Sequence, residues 1–594
     1  MSRNCSFRRR LHLHSDAGCS TLETSKLHPL AILMGRLKFY PRRAGTTRRQ
    51  FIRRAGGATL AVGTLPLLGA CGGGGADPVP SSPGTGLFRH GVASGDPLAD
   101  RVILWTRVTP DGGGPVDVDC IVATDTALGQ VVARFTQTTD PTRDHTVKAD
   151  VTGLQPNTTY YYRFAVGGVA SPIGRTRTLP VGATTRLRMA VVSCSNLAQG
   201  FFNAYGRVAE RADLDLVVHL GDYLYEYSDD PDNIRVHEPA VETVTLADYR
   251  TRHAQYKRDA DAQQMHRQHP VVAIWDDHDI ASDANATGSR NHTEGAEGTW
   301  SARVDAALQA YYEWMPIRPV DPNNLRKCNR SFAYGDLVEL LMLEERLLAR
   351  SPQVDTSAGV NGVFSQAGAF ADPAREMLGA AEQDWLATRL RTSAARWKML
   401  GQGVMLAQLK IEAKSNAEGG GRFLNADQWD GYQPARDRLF QVLKGSGGAP
   451  AVGNVVVLTG DAHSSWACDL TEDPNNGNVA SGGYDSTTGA GSRAVEFIAT
   501  SVTSPAILDT GGLLASALRS VNPHLKYIEL TRRGYMLIDA DPTRVVSEWW
   551  YVDSVAGPSN GQSFGAAFQV LTGAPHVVAA GPTSPRVNPP LLAP

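Results

Sequence analysis

Four apolar runs, at residues 187–192, 214–220, 271–275 and 455–459, are too evenly hydrophobic for strands with one wet face. They predict strands covered on both sides of a sheet. Between them the chain changes to a helical period. Residues 246–269, 300–314 and 379–391 place apolar side chains three and four positions apart and predict amphipathic helices. Buried strands alternating with such helices predict an α/β layered domain over residues 186–555.

Upstream the pattern differs. Short alternating runs at residues 101–108, 117–123, 131–136 and 159–166 are separated by turn signals. Leu154-Gln155-Pro156-Asn157-Thr158-Thr159-Tyr160 reads as the turn and tyrosine corner of an immunoglobulin- or fibronectin-like β-sandwich, expected over residues 87–180. Beyond residue 555 the periodicity fades, and residues 556–594 are expected to form a Pro-rich wrapped or loose tail. No repeat of fixed period is visible.

Charge divides the chain differently from hydropathy. The 594 residues carry a formal net charge of −2. Residues 1–70 hold 13 Lys and Arg against two Asp and Glu, a net of +11, and the other 45 basic and 58 acidic residues give −13. A body of that sign argues against a nucleic-acid-binding surface.

The basic segment, residues 1–71, reads as a leader. Thr47-Arg48-Arg49-Gln50-Phe51-Ile52 has the form of a twin-arginine signal, a basic pair followed by apolar residues. The small-residue stretch 55–70 is shorter than the roughly 20 residues of a membrane span and fits a signal core. It ends in Leu67-Leu68-Gly69-Ala70-Cys71, which resembles a bacterial lipobox with Cys71 lipidated. The competing reading is a helix that anchors the chain. Residues 72–86, rich in Gly, Pro and Ser, follow as a flexible tether. An exported protein of the periplasm or cell envelope is expected, handled by the twin-arginine machinery and touching membrane only through the leader or a lipid on Cys71. Outside the leader region only Cys120, Cys194, Cys328 and Cys468 remain, too few for a disulfide framework.

Each buried run ends in residues a sheet core would not choose: Ser193-Cys194-Ser195-Asn196, Gly221-Asp222-Tyr223-Leu224-Tyr225-Glu226, Asp276-Asp277-His278-Asp279 and Gly460-Asp461-Ala462-His463. Ligands of open α/β sheets bind at the carboxyl ends of strands, so four polar clusters there can converge. Three carboxylates around one imidazole repel unless cations or hydrogen bonds offset them. Cys194, Asp222, Tyr225, Asp277, Asp461 and His463 supply mostly anionic donors, suited to two or more cations with Asp222 bridging. Two such cations can hold a hydroxide and clamp a phosphoryl oxygen, leaving His278 to serve the leaving group. His219 precedes Gly221 inside an apolar strand and is expected to be a satisfied core histidine.

Taken in order, Gly-Asp-x-x-Tyr, Asp-His-Asp and Gly-Asp-x-His resemble the metallophosphoesterase pattern in its alkaline phosphatase D (PhoD-like) variant. Phe88-Arg89-His90-Gly91, Ile103-Leu104-Trp105-Thr106-Arg107 and Ser464-Ser465-Trp466 support the resemblance, which runs from about residue 87 to 553. It implies a small β-sandwich followed by two packed mixed sheets flanked by helices. It implies ferric iron and calcium, with zinc or manganese as alternatives, and hydrolysis of phosphomonoesters and phosphodiesters by attack of a metal-bound hydroxide. Cys194 would be the first ligand, Asp222 the bridge and Tyr225 the iron-bound tyrosinate. Asp277 would take the place of the usual Asn, with His278 beside it, and Asp461 the place of a His, with His463 matching the second. Two stretches depart from the pattern: Leu343-Glu344-Glu345-Arg346, and Trp397-Lys398 running on to Gly401-Gln402-Gly403. Arg346 and Gln402 are the candidates for substrate contact there. The alternative function is a catalytically degenerate envelope-binding protein on the same fold.

Overall fold

Residues 86–594 are described by a computed structural model, in which the buried strands assemble into two facing sheets. The leader with Cys71 and the tether up to residue 85 lie outside the described residues.

The larger sheet has ten strands. Its middle is the parallel set Leu187–Val192, Leu216–Leu220 and Pro270–Ile274. The smaller, seven-stranded sheet is built on a second parallel set, Val338–Met342, Trp397–Gln402, Val455–Thr459 and Ser492–Ile498. All seven strands are buried nearly throughout, which is why the runs at 187–192, 214–220, 271–275 and 455–459 show no alternation. Val191, Val217 and Val272 from one sheet join Met399, Val456 and Phe497 from the other in a single core.

Helices cover the outer faces. Helix Asn203–Ala209 packs on Ala260–Gln268, and Leu246–Lys257 packs on Trp300–Trp314. The helix expected over residues 246–269 is two helices, Leu246–Lys257 and Ala260–Gln268. The break is at Asp259, whose extended backbone and side chain, accepting from Ala262 N at 3.0 Å, start the second helix.

The N-terminal layer shares its backbone with the large sheet. Val92–Gly95 pairs in parallel with Pro270–Ile274, and Arg101–Arg107 and Thr146–Thr152 continue outward from it. Gly95 is required at that junction, because a Cβ there would lie 2.4 Å from Pro316 O and 2.5 Å from Val271 O. Val116–Ala123, Val131–Thr139, Thr159–Val166 and Gly174–Arg177 form a separate sheet that closes over this edge. Val102, Leu104, Val118, Val122, Val147, Tyr162 and Phe164 fill the space between.

The expected wrapped or loose tail is in part strand. Gln562–Leu571 and Ala574–Ala580 add two antiparallel strands to the large sheet beyond Arg544–Val552. Ala574–Ala580 is the edge strand, and the burial of both is irregular, so no clean alternation marks them in the sequence. The last residues are held by side chains: Tyr161 Oη donates to Leu591 O at 2.6 Å, and Arg586 pairs with Asp215.

Candidate active site

All seven parallel strands present their carboxyl ends to one place. Val192 leads to Cys194, Leu220 to Asp222 and Tyr225, and Ile274 to Asp276, Asp277 and His278. From the smaller sheet, Met342 leads to Arg346, Gln402 to Gly403, Thr459 to Asp461 and His463, and Ile498 to Ser504. The turns leaving these strands are strained. Cys194, Asp222, Asp461 and His463 have φ of 58°, 54°, 51° and 51°, left-handed values that cost non-glycine residues about 1–2 kcal/mol each. Four such residues at one site fit a backbone bent to aim donors inward. Gly221 makes the bend before Asp222 possible: its φ is 90°, and a Cβ would stand 2.4 Å from Cβ of Asp276.

Three donor groups share Asp222, one of them with Asp277 and His278. Ligand atoms of Cys194, Asp222 and His463 lie within 4.8 Å of one another, and so do those of Asp222, Asp276, Asp277 and Asp461. Tyr225 joins the group of Cys194 and His463. Its hydroxyl donates to Asp222 Oδ2 at 2.8 Å, accepts from Ser504 Oγ at 2.6 Å and lies 3.2 Å from His463 Nε2. The structure thus brings together Cys194, Asp222, Tyr225, Asp277, Asp461 and His463, drawn from strand ends in both sheets.

Without cations the cluster holds protons. Burial, with Asp277, Asp276 and Asp279 nearby, pushes the Asp222 carboxyl well above the usual carboxylate range. Burial lifts Asp276 to about 7 and Asp461 to about 6, each with Asp277 adding to the effect. Burial and Asp222 likewise raise the Cys194 thiol and the Tyr225 phenol. His463 is lowered to about 4, mainly by burial, and is neutral. Asp276 Oδ2 and Asp277 Oδ1 are buried with no hydrogen-bond partner among the described residues. Thiol, phenol, imidazole and several carboxylates, part of them unsatisfied, fit more than one hard cation.

His278 stands beside this cluster. Its ring stacks on Tyr225 with centroids 4.2 Å apart, and its Nδ1 lies 2.8 Å from Glu226 Oε2. Burial alone would lower its pKa, but Tyr227, Asp277, Glu226 and Asp222 raise it well above the usual histidine value. The same pairing, acting against burial, brings Glu226 down to about 2. Asp279 braces the site from behind, its Oδ2 accepting the backbone N–H of Asp222 and of Asp276 at 2.9 Å each.

The two expected substrate contacts, Arg346 and Gln402, both lie inside the protein. Arg346 is buried, with Nε bound to Asp276 Oδ1, Nη1 donating to Asp427 Oδ2 at 2.8 Å, and Nη2 3.6 Å from Asp277 Oδ1. It is enclosed by three carboxylates, and its Nη2 makes no hydrogen bond among the described residues. Gln402 is fully buried, its Nε2 donating to Val404 O at 2.8 Å and to Thr459 Oγ1 at 3.2 Å. His219 is a core histidine whose Nε2 lies 2.8 Å from Tyr205 Oη, while its Nδ1 is buried without a hydrogen-bond partner among the described residues. Cys120, Cys328 and Cys468 are buried and free, as is Cys194.

Several residues at the site carry no role in the sequence reading. Asp276 and Glu226 stand inside the motifs, and the even run of acids hides which one faces which partner. Gln428 donates to Asp461 Oδ2 at 2.6 Å, and Asp427 closes the ion pair with Arg346 and Arg350. Ser504 has no local signal at all; its position beside Tyr225 comes from the end of a strand almost 280 residues further along the chain.

A family model described as PhoD-like phosphatase matches residues 189–549, and a model for the N-terminal domain of PhoD-like phosphatases matches residues 75–180. Alkaline phosphatase D of Bacillus subtilis (strain 168) is 34% identical over 543 residues, covering 88% of this chain and 87% of that protein. A solved structure of PhoD aligns with a TM-score of 0.74 at 32% identity, over 86% of this chain and 94% of that one.

Proposed function

The chain belongs to the PhoD-like phosphatase family, and from that premise we propose that it is a metal-dependent phosphoesterase acting on phosphomonoesters, phosphodiesters or both. The observation that carries the reading is the gathering of Cys194, Asp222, Tyr225, Asp277, Asp461 and His463 at the carboxyl ends of two facing sheets. Cys194, Tyr225 and His463 collect on one side and carboxylates on the other, with Asp222 common to both. That division supports ferric iron on the first side and calcium on the second. Cations bound there would supply Lewis acidity toward a phosphoryl oxygen and a nucleophilic water at neutral pH.

The chain's own groups do the rest. Glu226 holds His278 by Nδ1 and favours the imidazolium, so Nε2 carries a proton for the departing ester oxygen. Stacking on Tyr225 fixes the ring plane. Arg346 binds Asp276 and Asp427 and holds them in place, so that Asp277 and Asp461 are left for the cations. Export through a twin-arginine leader with lipidation at Cys71 belongs to the same proposal and rests on the sequence of residues 1–71. We read the N-terminal layer as a fibronectin-like sandwich, supported by its strand order and by Gln155 N–H donating to Tyr160 Oη at 2.8 Å.

Purified protein supplied with iron and calcium should hydrolyse an aryl phosphomonoester or an aryl phosphodiester and show a visible tyrosinate-to-iron absorption band. Absence of turnover with both ester classes, with the metals bound, would sink the reading in favour of a catalytically degenerate envelope-binding protein.

A further inference from the structure

With Arg346 enclosed among carboxylates, a different guanidinium is open to an anion at this site. Arg533 immediately precedes strand Gly534–Ala540, which pairs antiparallel with Leu187–Val192 and begins at the end where that strand runs out to Cys194. Its backbone is pinned on both sides: Gly534 N–H donates to Ser501 O at 3.0 Å, and Val552 N–H donates to Arg533 O at 3.0 Å. The side chain is positioned by two carbonyls, Nε donating to Ser504 O at 3.3 Å and Nη1 to Thr531 O at 3.2 Å. Ser504 is the residue whose hydroxyl donates to Tyr225 Oη. The charge of Arg533 is also felt at His463, where it helps keep the imidazole neutral.

Arg533 differs from Arg346 in what it faces. Among the described residues no carboxylate pairs with it, whereas Arg346 has Asp276, Asp277 and Asp427. Nη2 has no hydrogen-bond partner among the described residues, and the group is only half-buried. Burial lowers its pKa with no acid to oppose the effect. A partly desolvated guanidinium without a counter-charge is costly, and a planar fork held by Nε and Nη1 leaves its remaining N–H groups prepared for a tetrahedral oxyanion.

We propose that Arg533 is the phosphate-recognition residue of this site, binding a non-bridging oxygen of the phosphate ester through its Nη2 edge on the Tyr225 and His463 side of the cluster. The proposal rests on the phosphoesterase reading for the identity of the ligand, and the test separates the two. The full metal-loaded chain and its Arg533→Met and Arg533→Lys variants are compared for binding of inorganic phosphate by calorimetry, for KM and kcat on an aryl monoester and an aryl diester, and for bound metal. Arg533→Met should weaken phosphate binding roughly tenfold and raise KM for the esters by a similar factor, as expected for loss of one charge-assisted contact. Its kcat should stay within about threefold and its metal content unchanged, and Arg533→Lys should recover part of the affinity. Unchanged phosphate affinity in Arg533→Met would overturn the proposal. So would a fall in kcat together with loss of metal, which would make Arg533 a brace for Ser504 and Tyr225. If the wild-type chain binds phosphate through Arg533 yet hydrolyses neither ester, the function fails and the binding assignment stands.

Discussion

Glu226 and His278 form a buried dyad, with Oε2 2.8 Å from Nδ1, and the second oxygen of Glu226 accepts from Ser282 N and Asn291 Nδ2. With three hydrogen bonds across its two oxygens, this carboxylate stays ionised and holds His278 in one orientation. Replacing it by Gln keeps the shape and removes the charge. His278 should then lose its proton at lower pH, so the alkaline limb of the kcat profile should move down by about one unit or more. kcat should fall roughly 10–100-fold. A Glu226→Gln enzyme with the wild-type pH profile would exclude Glu226 from proton handling.

Metal binding should release protons. The Cys194 thiol and the Tyr225 phenol are both held protonated at neutral pH by burial and by Asp222, and a cation takes the deprotonated forms. Loading metal-free protein in weak buffer at pH 7 should acidify the solution, and apparent affinity should rise with pH. Tyr225→Phe should release one proton fewer and lose the visible band. Equal proton release by the variant would remove Tyr225 from the ligand set.

The metal-free protein should lose stability between pH 7 and pH 8. A carboxylic acid whose folded pKa is raised keeps a proton that the unfolded chain has lost, so its stabilising effect disappears as pH passes through the folded value. Asp222, raised well above the ordinary range, and Asp276, at about 7, titrate in or above that window. Buried histidines held low, such as His219 and His463, act in the opposite direction but are neutral in both states by pH 7. Melting temperature of the metal-free chain should fall by several degrees across that interval, and less in Asp222→Asn. A flat profile in the wild type would mean the carboxylates are already relieved.

Arg346→Met should destabilise the fold by about 3–5 kcal/mol in urea unfolding of the metal-loaded chain, because Asp276 and Asp427 would lose a buried counter-charge. A cost under about 1 kcal/mol would show that water reaches these carboxylates and that Arg346 is free to serve a substrate.

Legibility in the sequence follows the range of the interaction. The apolar runs marked the central strands because burial on both faces leaves its record residue by residue, and Trp300–Trp314 was legible as a helix for the same reason. The break at Asp259 was obscured by apolar residues that keep a helical spacing across it. The outermost strands Gln562–Leu571 and Ala574–Ala580 left little pattern because their burial is irregular along their length. Gln402 and Arg346 show the limit for side chains. Polar residues after a strand look alike in sequence whether they face a ligand or a neighbouring carboxylate.

By itself the sequence determined the kinds of element, the donor types waiting at the strand ends and the family pattern they compose, because each is written in residues within a few positions of one another. Tertiary structure alone decided that Tyr225 and His463, 238 residues apart, meet at 3.2 Å, that Arg346 is enclosed while Arg533 stands open, and that Ser504 touches the phenol. Those outcomes depend on how two separately formed sheets pack face to face, and no local periodicity carries that information.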